Sequence, residues 1–154
     1  MTTEQVGRTH RVVVGVDGSK ESKQALRWAA RIAESLDASI NVVAVWDFPA
    51  TYGWAAWPQD WDQARDTQKA LTSAVDEVFG SQRPAGIELT VRQGGAVPVL
   101  LEEAQHALML IVGSRGHGGF TGLLLGSVSA NVAEHAKCPV LVVHGDLVTT
   151  APTS

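Results

Sequence analysis

The sequence has little of what secreted, membrane-spanning or nucleic-acid-binding proteins need. A single cysteine among 154 residues excludes an internal disulfide and fits a reducing compartment. No apolar run approaches the ~20 residues that cross a bilayer, and the first ten residues are too polar for a secretory signal. The formal net charge is -4, without a run of Lys or Arg, which argues against a nucleic-acid partner. We therefore expect a soluble cytoplasmic protein with no membrane or nucleic-acid partner.

The chain contains enough apolar residues to form one hydrophobic core. Apolar residues make up 45% of the sequence, and 154 residues are too few for two comfortable domains. Residues 1–9 and 145–154 are polar and lack periodicity. We expect both segments to be flexible tails around one domain spanning residues 10–144.

Apolar runs of strand length alternate with segments of helical periodicity through this domain. Strands are predicted at 11–16, 39–46, 87–92, 108–112 and 139–144, and helices at 20–36, 61–79, 98–107 and 126–137. The helix faces expected to pack inward are Ala25, Ala29, Ile32 and Leu36 in the first helix and Ala64, Leu71, Ala74, Val75 and Val78 in the second. This alternation predicts a doubly wound α/β domain with a five-stranded parallel sheet in the order 3-2-1-4-5 and four helices.

Ligands in such folds bind beyond the carboxyl ends of the strands, where the strand order reverses. Two segments should hold the site, the turn Asp17–Ser19 after the first strand and the loop 113–127 after the fourth. In that loop Gly113, Gly116, Gly126 and Ser127 follow the order G, two residues, G, nine residues, G, S. Glycines let backbone N–H groups approach an oxyanion closely, and the next helix start adds N–H groups and a positive dipole end. The loop is therefore a plausible phosphate cradle.

Three familiar nucleotide or phosphate motifs do not fit. A Walker loop needs Lys after its second glycine, but Gly118 is followed by Gly119. A dinucleotide fingerprint belongs after the first strand, where only Gly15 and Gly18 stand. A phosphoreceiver domain needs an acceptor Asp at the end of the third strand, where this sequence reads Val-Arg-Gln at 91–93.

With these alternatives set aside, the chain resembles the universal stress protein family. The spacing G-2x-G-9x-G-[ST] between a strand and a helix is that family's ATP-binding signature. The likeness also includes VGVDGS at 14–19, VWD at 45–47 and CPVLVV at 138–143, and it covers roughly residues 10–144.

The resemblance implies a nucleotide site and a homodimer. It implies that Asp17 meets the ribose and adenine side, that Val45 meets the adenine with its backbone, and that ribose and phosphates are surrounded by Gly113, Gly116, Gly126, Ser127 and Ser129. The nucleotide would be ATP, or AMP or ADP, with Mg²⁺ or Mn²⁺ on the phosphates and a water bridge to Asp17. The family's dimers pair their last strands, which places the dimer edge at Val140–Val143.

Each assignment has a plainer reading that stays open. The alternative for Asp17 is a turn residue at a helix entry, and the alternative for Ser127 is a helix cap. Arg115 and His117 are either phosphate contacts or solvated loop residues. Four tryptophans in the segment 46–61 would form either a lid or a cluster packed on the body. Cys138 is expected to be a buried small hydrophobe, and the five histidines show no metal-ligand spacing.

Three functions compete on these residues. The first is a nucleotide-dependent sensor or adaptor in a stress response, read by an unknown protein partner, with slow or no hydrolysis because no general base or catalytic lysine is visible. The second is a slow ATPase or phosphotransferase in which Asp17 orients metal-bound water and Arg115 stabilises charge. The third is a nucleotide-free interaction module that uses the sheet edge and the tryptophan-rich segment.

Overall fold

The computed structural model describes residues 10–47, 62–115 and 125–145. Five strands and four helices alternate through these ranges. In chain order they are β1 Arg11–Gly15, α1 Lys20–Leu36, β2 Ser39–Trp46, α2 Gln63–Phe79, β3 Ile87–Gln93, α3 Ala96–Glu103, β4 Met109–Gly113, α4 Ser127–His135 and β5 Val140–Val143. Except for Gly145, the two expected tails lie outside the described residues.

The strands form one parallel sheet in the order β3-β2-β1-β4-β5. β1 is central, and its Val13 pairs with Asn41 of β2 on one side and with Leu110 of β4 on the other. The predicted architecture and strand order are therefore confirmed. β3 and β5 are the edge strands.

The core has two layers because helices cover both faces of the sheet. Val12, Val13 and Val14 are all fully buried, as expected for a central parallel strand whose successive side chains point to opposite faces. The α1–α2 layer contains Leu26 and Leu71, and its members pack with Val12 and Val14. The other layer packs α3 and α4 against the face that carries Val13.

The helix starts use the capping chemistry that the sequence indicates. Ser19 caps α1, and its side chain accepts a hydrogen bond from the Ser22 N–H. Asp62 caps α2 in the same way and accepts from the Arg65 N–H. α1 ends at Leu36, and the capping residue after it, Asp37, is in the left-handed conformation with φ of 53°.

Two residues predicted to face inward are exposed. Leu36, at the last position of α1, is 45% exposed, and Ala64 in the first turn of α2 is also exposed. A helix of 17 residues is about 25 Å long, whereas the five residues of β1 span about 17 Å, so helix ends extend past the sheet. The buried residues of α2 accordingly begin only at Leu71.

The third helix differs from its predicted bounds. It begins two residues before Pro98 and ends at Glu103 rather than near Ala107. Pro98 is thus its third residue, where the backbone N–H has no intrahelical partner in any case.

A polar network joins α3 to the two strands at the β3 edge. Glu103 accepts hydrogen bonds from Asn41 at 2.9 Å and from Arg92 at 3.1 Å. The Asn41 side-chain oxygen accepts from the Thr90 hydroxyl at 2.6 Å. Asn41 is only 4% exposed, so these bonds satisfy a buried amide and fix the position of α3 on the sheet.

Candidate functional site

The turn after β1 holds a carboxylate at the carboxyl edge of the sheet. One Asp17 side-chain oxygen accepts hydrogen bonds from the Ser19 N–H at 3.0 Å and from the Ser19 hydroxyl at 2.5 Å. Gly18, with φ of 86°, lets the chain turn sharply between them. The Asp17 side chain is exposed, and these bonds hold it at the end of the central strand.

The loop after β4 is closed at its base by one buried residue. Ser114 is 1% exposed, and its backbone N–H donates to the Val143 carbonyl at the end of β5. Its carbonyl accepts from the Gly126 N–H at 2.6 Å and from the Ser129 hydroxyl at 2.8 Å. The end of β4 and the start of α4 are therefore tied together beside the end of β5.

Gly113, immediately before this residue, lies against the first turn of α1. A Cβ added there would be 2.7 Å from the backbone carbon of Glu21 and 2.9 Å from the backbone nitrogen of Ser22. Real Cβ atoms do not approach backbone this closely, so glycine is required for packing as well as for any ligand contact. This close approach joins the loop after β4 to the helix that follows the turn Asp17–Ser19.

The first turn of α4 presents backbone donors without a side-chain cap. Gly126 occupies the cap position, and no side-chain hydrogen bond satisfies the turn within the described residues. Ser127 is exposed at the first helical position. Ser129 is 2% exposed, and its hydroxyl lies 2.8 Å from the Ser114 carbonyl and 3.1 Å from that of Gly126. The uncapped N–H groups and the helix dipole make this turn attractive to an anion.

A cavity of about 260 Å³ opens beside these segments, between the carboxyl ends of β1 and β2 and the first half of α2. Its walls combine an apolar floor with polar groups at the rim. The lining residues are Val16, Asp17, Gly18, Ala44, Val45, Asp66, Thr67, Ala70 and Leu71. Such a lining is typical of small-molecule sites, which are mostly apolar with a few placed polar groups.

The structure brings the predicted site residues into two adjacent groups. Asp17 and Val45 share the cavity. Gly113, Gly126 and Ser129 meet around Ser114. The groups adjoin because β1 and β4 are neighbouring strands.

Some predicted residues stand apart from these groups or cannot be placed. Arg115 is half-buried, just beyond Ser114. Gly116, His117 and three of the four tryptophans of the segment 46–61 lie outside the described residues. Trp46, the fourth, is half-buried at the end of β2.

The sequence analysis did not predict the α2 wall of the cavity. Asp66, Thr67 and Ala70 lie on the first turns of α2, before its buried stretch begins at Leu71. A signal was present, since polar residues replace apolar ones on the face that continues toward Leu71. These turns form a cavity wall because they do not pack against the sheet, and the sequence pattern does not predict that separation.

The described residues include no group of three His, Cys, Asp or Glu side chains placed to hold a metal ion. Cys138 is half-buried against the α3–α4 layer, and burial raises the pKa of its thiol. Nor, within the ranges described, is any helix both long and apolar enough to span a bilayer.

The fold and the cavity together define a doubly wound α/β domain with a cavity at the carboxyl edge of the sheet, on the β2 side of the switch between β1 and β4. The sequence matches the model of the universal stress protein family over residues 8–144. The chain belongs to the universal stress protein family.

Curated relatives of this chain are about twice as long. A universal stress protein of Mycolicibacterium smegmatis is 34% identical over 142 residues, covering 88% of this chain but 48% of the relative. A Mycobacterium tuberculosis relative is 33% identical over 147 residues, covering 90% of this chain and 49% of its own length. The chain therefore spans about half the length of the curated relatives it matches.

Solved structures agree with the fold. A universal stress protein solved in complex with cAMP is 32% identical, with a TM-score of 0.58, and the match covers 89% of this chain and 98% of that one. The universal stress protein UspA from Lactobacillus plantarum has a TM-score of 0.72 at 19% identity, covering 88% of this chain and 98% of that chain. At that identity the second likeness concerns the fold alone.

Proposed function

We propose that this protein binds an adenine nucleotide, with the base and sugar in the cavity and the phosphates toward the start of α4. The observation that carries the proposal is the shared position of Asp17 and Val45 in one cavity at the carboxyl edge of the sheet. The loop that matches the family's phosphate signature begins on the next strand. The related protein solved with cAMP supports an adenine nucleotide as the ligand class.

The dimensions of the cavity suit part of such a ligand. Its volume of about 260 Å³ lies just below the ~300–1,000 Å³ typical of small-molecule sites, so phosphates would extend out of it. The buried apolar residues Val16, Ala44 and Leu71 line the cavity from one core layer and suit a purine ring. The uncapped first turn of α4 supplies donors for an anion one strand further along the sheet.

The site residues then have distinct tasks. Asp17 accepts hydrogen bonds from the sugar hydroxyls, and the Val45 backbone meets the base. Gly113, Gly126 and Ser127 would line the phosphate side together with Gly116, which lies outside the described residues, and Arg115 would add positive charge. Ser129 holds the two ends of the loop in register through the Ser114 carbonyl. Mg²⁺ or Mn²⁺ would be held by the phosphates and their waters, with a water bridge to Asp17.

Binding of this kind serves a sensor or adaptor more readily than an enzyme. The cavity lining, as far as the structure describes it, offers the two carboxylates of Asp17 and Asp66 but no His, Lys or Cys side chain. A bound nucleotide would instead stabilise one arrangement of the loop after β4, which a partner protein would recognise. The β5 edge supports a homodimer, because Val140–Val142 are only half-buried on a strand with no neighbour on its outer side among the described elements.

The decisive experiment is calorimetric titration of nucleotide-stripped protein with ATP and Mg²⁺, and with AMP and cAMP. Ala70→Phe places a ring in the cavity from an exposed position of α2. Ala64→Phe is the matched control, since it makes the same change on the same helix outside the cavity. We expect saturable binding in the parent and the control and a loss of at least about tenfold in the blocked variant, with unchanged melting of the unliganded proteins.

Absence of binding by all three nucleotides would refute the proposal and leave the sheet edge as the place to seek partners. Equal nucleotide binding by Ala70→Phe and Ala64→Phe would mean that the ligand lies outside the cavity. The enzymatic alternative is tested on the same samples by measuring phosphate release. Turnover that disappears in Asp17→Ala while binding survives would favour a slow ATPase over a sensor.

A further inference from the structure

The α2 wall of the cavity carries a carboxylate that has no partner among the described residues. Asp66 lines the cavity, and no hydrogen bond or ion pair reaches its carboxylate from the described residues. Its backbone N–H is satisfied by the Asp62 carbonyl at 3.1 Å. Asp17, across the cavity, already accepts two hydrogen bonds from Ser19. Of these two carboxylates, Asp66 has the greater unused capacity to accept hydrogen bonds from a ligand.

The order of the strands places Asp66 at the end of the site farthest from the phosphate side. β4 carries the loop and α4, β1 lies next to it, and β2 follows. Adjacent strands are ~4.8 Å apart, so the two intervals from β4 to β2 span ~10 Å. α2 packs over β2 and β3, beyond this span. A nucleotide with phosphates at α4 and sugar near Asp17 therefore brings the outer edge of its base to the α2 wall.

We propose that Asp66, with Thr67 beside it, recognises the 6-position of the purine and selects a 6-aminopurine over a 6-oxopurine. This inference rests on the adenine-nucleotide function proposed above. An ionised carboxylate only accepts hydrogen bonds. The exocyclic amine of adenine donates to it, whereas the 6-carbonyl oxygen of hypoxanthine or guanine faces it as a second acceptor. The Thr67 hydroxyl both donates and accepts, so Asp66 is the residue that discriminates.

The substitution Asp66→Asn should strengthen the binding of a 6-oxopurine nucleotide as well as reduce the preference for ATP. In Asp66→Asn the side chain keeps an acceptor oxygen and adds an NH₂ donor of nearly the same shape. The amide can rotate to donate to a 6-carbonyl, so inosine triphosphate should bind more tightly to the variant than to the parent. Improved binding is not produced by misfolding, which makes the gain the more informative readout.

The experiment compares ATP, inosine triphosphate and 2′-deoxy-ATP by calorimetry with the parent protein, Asp66→Asn and Asp76→Asn. Asp76 is an exposed residue of the same helix that pairs with Arg83 outside the cavity, so its variant matches the change in charge. We expect the parent and the control to prefer ATP over inosine triphosphate by roughly tenfold, as for a hydrogen bond to a charged group. In Asp66→Asn the preference should fall to about threefold or less.

The outcomes separate this inference from the function on which it rests. Equal binding of ATP and inosine triphosphate by the parent would overturn base selection while leaving nucleotide binding intact. So would an Asp66→Asn variant that keeps the parent's preference. A loss in that variant confined to ATP, with 2′-deoxy-ATP unaffected, would assign Asp66 to the sugar instead. Failure of every nucleotide to bind would overturn both proposals.

Discussion

Gly113 packs so closely against Glu21 that a Cβ on the glycine would lie 2.7 Å from the backbone carbon of the glutamate. The glycine that opens the signature loop is therefore also the contact point between β4 and the first turn of α1. A substitution at this position acts on folding before it acts on any ligand.

Gly113→Ala should destabilise the unliganded protein by about 1–3 kcal/mol, because the backbone of α1 must move to admit a methyl group. Gly15→Ala is the matched control, since its nearest contact is the flexible Leu100 side-chain end at 3.1 Å. Urea unfolding of both variants gives the comparison. A Gly113→Ala variant no less stable than Gly15→Ala would mean that the close approach is absent in solution.

Ser129→Ala should lower the free energy of unfolding by about 1–2 kcal/mol, because the Ser114 and Gly126 carbonyls lose a buried donor. Ser127→Ala should change stability by at most about 0.5 kcal/mol, since Ser127 is exposed. Under the proposed function the affinities follow the opposite order, with Ser127→Ala weakening nucleotide binding more. Thermal melting measures the stability of both variants, and calorimetry measures their affinities. If the same substitution had the larger effect on both stability and affinity, the prediction would be wrong.

Two neighbouring glutamates that bind the same arginine should differ in their contribution to stability. Both lie 3.1 Å from Arg92, but the side chain of Glu102 is 64% exposed and that of Glu103 is 19% exposed. Glu103→Ala also leaves the buried Asn41 amide without its acceptor and should destabilise by about 1–3 kcal/mol. Glu102→Ala should change the free energy of unfolding by less than about 1 kcal/mol. Similar denaturation midpoints for the two variants would rule out the network as a structural element.

Cys138 should react slowly with iodoacetamide in the folded protein, because burial raises the pKa of its thiol above the ordinary ~8.5 and leaves less thiolate near pH 8. Labelling followed by mass spectrometry, with and without urea, measures the difference. Equal rates in both conditions would contradict it.

The raised pKa of the Cys138 thiol also predicts how the stability of the protein depends on pH. A raised pKa in the folded state gives stability that is fully present below the unfolded value and is lost as pH rises through the folded value. The denaturation midpoint of the parent should therefore fall more steeply above pH ~8.5 than that of Cys138→Ala. Identical pH profiles for the two proteins would show that the thiol is not linked to folding.

Residue type and spacing were enough to predict the architecture and to nominate the carboxyl edge of the sheet for the site. The uninterrupted valines of β1 and the apolar run of β4 require cover on both faces, and alternation with helical periods then leaves a parallel doubly wound sheet as the consistent solution. The turn residues Asp17 and Ser19 indicate where α1 starts. These features are local, so they can be read from spacing and residue type.

Which surfaces meet could not be predicted in this way, because it depends on how the helices pack on the sheet. The closeness of Gly113 to Glu21 depends on how α1 crosses the end of β4, and the exposure of Leu36 depends on a helix being longer than the strand it covers. Asp66 becomes part of the cavity because the first turns of α2 stand off the sheet before Leu71 reaches the core. Each of these relationships joins residues far apart in the chain or depends on how a helix lies on the sheet. Hydrophobic spacing states which face of a helix is apolar, but not how far along the sheet that face remains in contact.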